Sequence, residues 1–234
     1  MSHFAGQELF RCNIGMEDGG NLVLTGSDIR HITKVMRHKA GDIIHVTSGD
    51  GIILKVEIIS ESDDLIKVMP LDKFECLNKL SNIEIAIPRL KNSDKIELVI
   101  EKLVETGFTK FVFFESDNCV GKGFKLDRWE KIAISASKQS FNPFTVELRS
   151  VSKFDELFKT GREVIGFDLE AENSFAGFQP ERGVNYILVT GPEGGLSKKE
   201  LAKFRKENLF QLTGNRLRSE TAILYSAFLI TRFF

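Results

Sequence analysis

Between residues 186 and 200 an apolar run, Tyr186-Ile187-Leu188-Val189, leads into Gly191-Pro192-Glu193-Gly194-Gly195 and then into Ser197-Lys198-Lys199-Glu200. The last four residues have the pattern of a helix N-cap with a reciprocal capping box, so the segment is predicted as strand, glycine-rich loop, helix. Glycine leaves no Cβ between the backbone and a ligand. A second unit of the same kind follows. The strand Phe210-Gln211-Leu212 leads through Gly214-Asn215-Arg216-Leu217-Arg218 into a helix predicted to be capped by Ser219 and to run from Ala222 to Phe234. Two such loops in one α/β domain predict a single small-molecule site at the carboxyl ends of the strands.

The rest of the chain divides in two. Before residue 72 short strand-like runs dominate: 21–24, 43–46, 52–59 and 65–68, punctuated by Asp18-Gly19, Gly41-Asp42 and Asp50-Gly51. Such spacing predicts a small β-barrel with a hairpin at Asp50-Gly51. One helix is expected within it, Asp28 to Lys39, with Ser27 as N-cap and Gly41 just beyond its end. From residue 73 strands alternate with helices. Ile83–Ile87 and Phe111–Phe114 read as strands. Ile96, Val99, Ile100, Leu103 and Val104 keep helical spacing before Gly107. Asp127 opens a helix carrying Trp129, Ile132, Ala133 and Ala136, and Ser152 opens a third. This alternation predicts a parallel sheet covered on both faces. The expected domains are 1–72 and 73–234.

The loops do not fix the ligand by pattern alone. Neither GxGxxG nor GxxxxGK[ST] is present, which disfavours the dinucleotide and P-loop readings. Glu193 inside the turn would repel phosphate, so a cationic or neutral ligand fits better. Arg216, Arg218 and Glu220 cluster at a helix start. Glu220 suits the helix dipole there, whereas the cation Arg218 needs a ligand or a carboxylate partner.

In the first domain Arg30, Lys34, Arg37 and His38 share one side of the predicted helix, opposite Ile29, Ile32, Val35 and Met36, and residues 30–39 contain no acid. That side is either a solvated face or a set of phosphate contacts. Net charge is −1, so only a local basic patch would draw a polyanion. Three widely spaced cysteines, Cys12, Cys76 and Cys119, read as free thiols of a reducing compartment. The terminus Met1-Ser2-His3-Phe4 lacks signal-peptide character, no apolar run approaches a membrane span, and no metal-ligand spacing occurs.

In order along the chain, these residues resemble the RsmE-type family of the SPOUT superfamily. The pattern comprises His31, Val35-Met36-Arg37 and Gly41-Asp42. Next come Lys91, Lys95, Lys102, Glu105 and Gly107, then Arg128-Trp129 and Gln139-Ser140. The complete Gly191–Gly195 loop and Leu217-Arg218-Ser219-Glu220-Thr221-Ala222 close it. Ser219 stands where the family has Thr, and the loop between Gly214 and Arg218 is one residue shorter. Phe141-Asn142-Pro143 follows Gln139-Ser140, with no Arg before Arg149.

The resemblance implies a PUA-like barrel and a trefoil-knotted α/β methyltransferase domain. It implies S-adenosylmethionine as cofactor, bound by Gly191, Glu193, Gly194, Gly195, Leu212, Gly214 and Leu217. Methyl transfer would be to N3 of a uridine in small-subunit (16S) ribosomal RNA, with Arg218 and Glu220 as catalytic residues. RNA contacts would come from Arg30, His31, Lys34, Arg37, Lys91 and Lys95. It further implies small-subunit ribosomal RNA or the 30S subunit as partner, a homodimer, and a cytoplasmic location, without metal or membrane. A ribose-2′-O methyltransferase of the same superfamily and a non-catalytic RNA-binding factor of the same fold are the alternatives. Arg218-Ser219-Glu220-Thr221 speaks against the first and the intact glycine loop against the second.

Overall fold

The computed structural model describes residues 7–17, 19–120 and 123–234. Asp18 of the expected Asp18-Gly19 turn and the Met1–Phe4 terminus lie outside the described residues. The chain divides into two compact units, Met1–Asn78 with Ser135–Thr145, and Lys79–Ile134 with Val146–Phe234.

The first unit contains β1 (Leu9–Arg11), β2 (Asn13–Met16), β3 (Leu22–Thr25), β4 (Ile43–Thr47), β5 (Ile52–Glu61) and β6 (Ile66–Glu75). They form one sheet in the order β1-β4-β5-β6-β3-β2. Its two edge strands, β1 and β2, are separated in sequence by Cys12 alone. One residue spans about 3.5 Å, whereas six flat strands would set the edges more than 20 Å apart at about 4.8 Å per strand. The sheet therefore has to curl until its edges meet, which makes the barrel. Phe10, Leu24, Ile44, Val46, Val56, Ile58, Ile66 and Val68 fill its inside, with Ile29 and Ile32 packed among them.

The helix expected over 28–39 is much shorter. A helical turn begins at Ile29, and His31–Val35 is a wide turn in which Met36 N–H returns to the His31 carbonyl at 2.9 Å. Arg37 then takes a φ of +60°, a left-handed conformation that no helix can continue through. Of the expected apolar stripe, Ile29 and Ile32 are buried, while Val35 and Met36 are exposed. Arg30, Lys34, Arg37 and His38 are therefore not one helical face. Arg30 and Lys34 sit on the turn, and Arg37 and His38 lie beyond it.

Residues 135–145 fall inside the sequence range expected for the second domain, yet they pack as part of the first unit. Lys138 pairs with the buried Asp28 at 2.8 Å. Arg11 hydrogen-bonds the Thr145 hydroxyl, and the Thr47 hydroxyl donates to the Pro143 carbonyl at 3.3 Å. The strand pattern of 1–72 carries no signal for partners so distant in sequence.

The second unit is built on β7 (Ile83–Pro88), β8 (Lys110–Phe114), β9 (Glu147–Ser150), β10 (Glu163–Phe167), β11 (Asn173–Ser174), β12 (Tyr186–Val189) and β13 (Leu209–Gln211). All seven are parallel, in the order β11-β13-β10-β12-β7-β8-β9. Every residue of β7 and β12 is buried, as expected of central strands covered on both faces. Helix α1 (Ser93–Glu105) begins where the Asn92 side chain accepts the Asp94 N–H. It ends where Gly107 and Phe108 return N–H groups to Val104 and Leu103.

Helix α2 (Leu126–Gln139) buries Trp129 against Phe113, ring centroids 4.4 Å apart. The helix expected after Ser152 is a 3-10 turn, Phe154–Lys159. The helix after the glycine loop, α3 (Lys198–Leu201), is a single turn. Helix α4 (Ser219–Thr231) returns to pack on α1, β7 and β12. Its N-cap is Arg218, not the expected Ser219, which is buried as the first helical residue. Arg149 does not supply the arginine missing after Ser140, because it clamps Glu84 on β7 with two bonds of 2.7 Å. Glu84 is 3% exposed, and that charge must be paired to be buried.

Candidate active site

Strands β10, β12 and β13 end side by side, with β12 on one flank of β10 and β13 on the other. The chain passes from β12 to β13 across β10, so the loops leaving these strands part and leave a crevice. A cavity of roughly 490 Å³ lies there, lined by Phe167, Asp168 and Leu169 after β10, by Thr190–Leu196 after β12, and by Leu212, Thr213 and Asn215–Glu220 after β13, with Lys95 and Ala222 completing the wall. That volume suits an organic cofactor.

The glycine loop is held by its own compactness and by one neighbour. At Gly191 a Cβ would meet the Leu196 backbone nitrogen at 2.7 Å and the Gly195 backbone at 2.9 Å. The residue is glycine because the loop folds back on itself there, a reason different from the ligand approach expected from sequence. Gly195 has a φ of +71°, and a Cβ on it would meet nothing within 4 Å. Ser197 and Glu200 form the predicted capping box. Glu200 also accepts from the Ser116 hydroxyl at 2.8 Å and the Asp117 N–H at 3.0 Å. Asn118 donates its amide to the carbonyls of Gly194 and Gly195, and the Ser197 hydroxyl donates to Asp117 at 2.6 Å. Segment 116–118 after β8 thus braces the loop. Glu193 turns out of the phosphate question altogether: it accepts the Lys91 backbone N–H at 3.1 Å.

Among the residues expected to contact a cofactor, Gly191, Glu193, Gly194, Gly195, Leu212 and Leu217 line the cavity. Gly214 does not, although its neighbours Thr213 and Asn215 do. Arg218 and Glu220 line it as well, but not as partners. Glu220 pairs with Lys95, Nζ to Oε1 2.9 Å, and Arg218 is exposed without a side-chain hydrogen bond or ion pair among the described residues. Burial pushes the Glu220 carboxyl up. The Lys95 hydrogen bond, its own backbone N–H and the charges of Lys95 and Arg218 outweigh that and hold it below the ordinary carboxylate range. Lys95, expected among RNA contacts, belongs to this wall. Of the other expected RNA residues, Arg30, His31, Lys34 and Arg37 lie in the first unit. Lys34 is paired with Asp63 at 2.7 Å.

Two residues that line this cavity each bury a polar atom with no hydrogen-bond partner among the described residues, Thr190 Oγ1 and Glu220 Oε2. Thr190, Phe167, Asp168, Leu169 and the Asn118 brace escaped the sequence reading. The first four sit at strand carboxyl ends, a position that could have flagged them.

Residues 77–231 match the family model for an RNA methyltransferase domain, and residues 24–70 match that for an RNA methyltransferase PUA domain. The chain belongs to the RNA methyltransferase family. It is 29% identical to Ribosomal RNA small subunit methyltransferase E of Bacillus subtilis over 90% of both chains. It is 30% identical to Ribosomal RNA small subunit methyltransferase E 2 of Borreliella burgdorferi over 84% of both. A crystal structure of the Neisseria gonorrhoeae Ribosomal RNA small subunit methyltransferase E, bound to S-adenosyl methionine, has the same fold. The TM-score is 0.82 at 21% identity, covering 97% of this chain and 98% of that one. Family membership explains why the two motifs, distant in sequence, wall one cavity.

Proposed function

We propose that the chain transfers the methyl group of S-adenosylmethionine to N3 of a uridine in small-subunit (16S) ribosomal RNA. The observation that carries this reading is the cavity itself: both specific motifs, distant in sequence, wall it. The names of the relatives and the ligand of the Neisseria gonorrhoeae structure support it. The cofactor, when bound, supplies an electrophilic sulfonium methyl. The peptides of Gly191, Gly194 and Gly195, with Leu212 and Leu217, hold it, Glu193 fixes the loop, and Gly214 shapes the second loop. Arg218 holds the uracil and stabilises negative charge on its oxygens as N3 loses its proton and attacks in line. Glu220 is the second catalytic residue, as orienter or as proton acceptor. Its depressed pKa favours the first.

The domain spanning 1–72 binds RNA and that spanning 73–234 carries the reaction. The crossing from β12 to β13 and the return of α4 fit a trefoil knot. Tyr225 and Phe228 of α4, 41% and 42% exposed, fit the interface of a homodimer. The reading places the enzyme in the cytoplasm, acting on ribosomal RNA or the 30S subunit.

Titration calorimetry should show S-adenosylmethionine binding while NAD and ATP give no heat. Nucleoside mass spectrometry should find 3-methyluridine in small-subunit ribosomal RNA only when the protein is present in the cell. Identical nucleoside profiles with and without it would refute the reading.

Replacing Arg30, Lys34 and Arg37 together by alanine should weaken RNA binding. It should flatten the slope of log affinity against log salt by roughly 2, since each lost phosphate contact removes about 0.7–0.9 of slope. Most of the effect is expected from Arg30 and Arg37, as Lys34 is shared with Asp63. An unchanged slope would make this basic set an ordinary solvated surface.

A further inference from the structure

The first unit holds a cavity of its own, roughly 370 Å³, lined by Met36, His38, Ile43, His45 and Lys55 over a floor of Phe10. Its walls differ in chemistry. Met36 and Ile43 are 40% and 49% exposed and form an apolar lip. The His38 ring is partly exposed and pinned on two sides: Nδ1 meets Asp42 Oδ2 at 3.2 Å, and the Phe10 ring stands edge-on at 5.9 Å. Lys55 stands opposite His45 across the β4–β5 ladder and has no ion pair among the described residues. Burial, and then the Lys55 charge, hold His45 below the ordinary imidazole range, so it is mostly neutral at pH 7. Lys55 thus supplies a fixed positive charge beside the apolar lip. Arg37, left-handed at a φ of +60°, falls between the lining residues Met36 and His38, and the reversal there returns the His38 N–H to the Ile32 carbonyl at 3.0 Å. A residue with a Cβ keeps such a backbone only where its surroundings impose it, and such positions gather at binding sites. A ligand that suits these walls has a flat apolar body and an anionic group, and a nucleotide has both.

We propose that this cavity takes one unpaired nucleotide of the RNA, with its base flat against His38 between Met36 and Ile43 and its phosphate on Lys55. The proposal rests on the reading that the first domain binds RNA. It adds a base-holding subsite to that reading, and with it a preference for unpaired strand. Bases inside an A-form duplex are stacked and paired, so they cannot enter a side-chain pocket, whereas splayed bases stack on aromatic rings, histidine included. A free nucleotide offers the same chemistry as a nucleotide within a strand. The strand is favoured because Arg37 and Lys39, exposed and without an ion pair among the described residues, flank His38 in sequence. A continuing backbone brings them further phosphates, and a mononucleotide does not.

The test measures affinity, in mildly alkaline buffer over a range of salt, for a short unpaired oligonucleotide from small-subunit ribosomal RNA and for the same strand annealed to its complement. Thermal melts and S-adenosylmethionine affinity verify folding. His38→Ala should weaken binding of the unpaired strand roughly tenfold, as for loss of a stacking side chain, with the salt slope unmoved. His38→Phe keeps a flat ring and should recover most of that loss. Lys55→Met should flatten the slope by about 0.7, the value of one phosphate on a single strand. Binding of the annealed strand should be weaker and indifferent to His38→Ala. With wild-type protein, replacing each nucleotide in turn by an abasic one should find a position that costs about tenfold, and in His38→Ala the same position should cost nothing further.

A flat abasic scan with wild-type protein overturns the proposal, as does a His38→Ala loss shared equally by the annealed strand. So does tight calorimetric binding of free uridine or adenosine monophosphate together with RNA affinity untouched by His38→Ala, which would make the cavity a free-nucleotide site. A wild-type protein with no affinity for ribosomal RNA overturns the parent reading, an outcome distinct from wild-type binding with indifferent cavity variants.

Discussion

Replacing Gly191 by alanine should weaken S-adenosylmethionine binding by about two orders of magnitude and leave the chain folded. The added Cβ would lie 2.7 Å from the Leu196 nitrogen and 2.9 Å from the Gly195 backbone. These are main-chain atoms, and no rotamer change relieves them. The loop must open, and the Asn118 brace on the Gly194 and Gly195 carbonyls opposes that opening. Overpacking of this kind costs about 1–3 kcal/mol, and 1.4 kcal/mol is a factor of ten in affinity. Gly195→Ala makes the informative contrast. Its Cβ meets nothing within 4 Å, so only the left-handed backbone is penalised, by roughly 1–2 kcal/mol. Gly195→Val adds bulk on a β-branched side chain and should bind least of the Gly195 variants. Calorimetric titration of each, beside thermal melts, separates the effects, and wild-type affinity in Gly191→Ala would show that the loop does not hold the cofactor.

Arg218→Ala should slow methyl transfer roughly a hundredfold or more, by comparison with removing one charge-stabilising donor from other active sites. Arg218 lines the cavity at the N-cap of α4, where the helix dipole disfavours a cation, and no carboxylate in the chain pairs with it among the described residues. Its charge is therefore available for a substrate. Cofactor affinity should largely survive. Glu220→Gln should cost uridine methylation less than Arg218→Ala, because Lys95 keeps the wild-type carboxyl ionised and weakly basic. If the glutamine variant is as slow or slower in single-turnover assays, Glu220 is the proton acceptor. A near-normal rate in Arg218→Ala would remove Arg218 from the mechanism.

The parts of this molecule legible in sequence were those in which local chemistry and tertiary role coincide. The capping box of Ser197 and Glu200 is a local signal, and it forms. Strand β12 is a fully apolar run, β8 and β10 are apolar after a charged first residue, and β7 is interrupted by Glu84 alone, a pattern suited to a sheet covered on both faces. The helix over 28–39 failed because its periodicity came from residues that are apolar yet exposed, Val35 and Met36, and because nothing in sequence marks Arg37 as left-handed. The short strands β1 and β2 went unread: Leu9-Phe10-Arg11 and Asn13-Ile14-Gly15-Met16 contain no apolar run longer than two residues. The ion pair of Glu220 was not legible for a different reason. Arg218 is its neighbour in sequence, but the helix carries the carboxylate toward α1, where Lys95 waits 125 positions upstream. Long-range pairs of this sort leave no trace in spacing.

The assignment of Ser135–Thr145 to the first unit has a bearing on how such a protein can be inherited and rearranged. Two domains laid end to end can be shuffled by one recombination event at the linker. Here the chain leaves the first unit after Asn78, returns at Ser135 and leaves again after Thr145, so the genetic blocks and the physical blocks do not coincide. A crossover near residue 78 would part Asp28 from Lys138, Arg11 from Thr145 and Gly51 from the Phe144 ring that packs on it. It would leave a buried carboxylate uncompensated. Exchange of the barrel between relatives therefore requires two coordinated replacements, one on each side of the second unit's first segment.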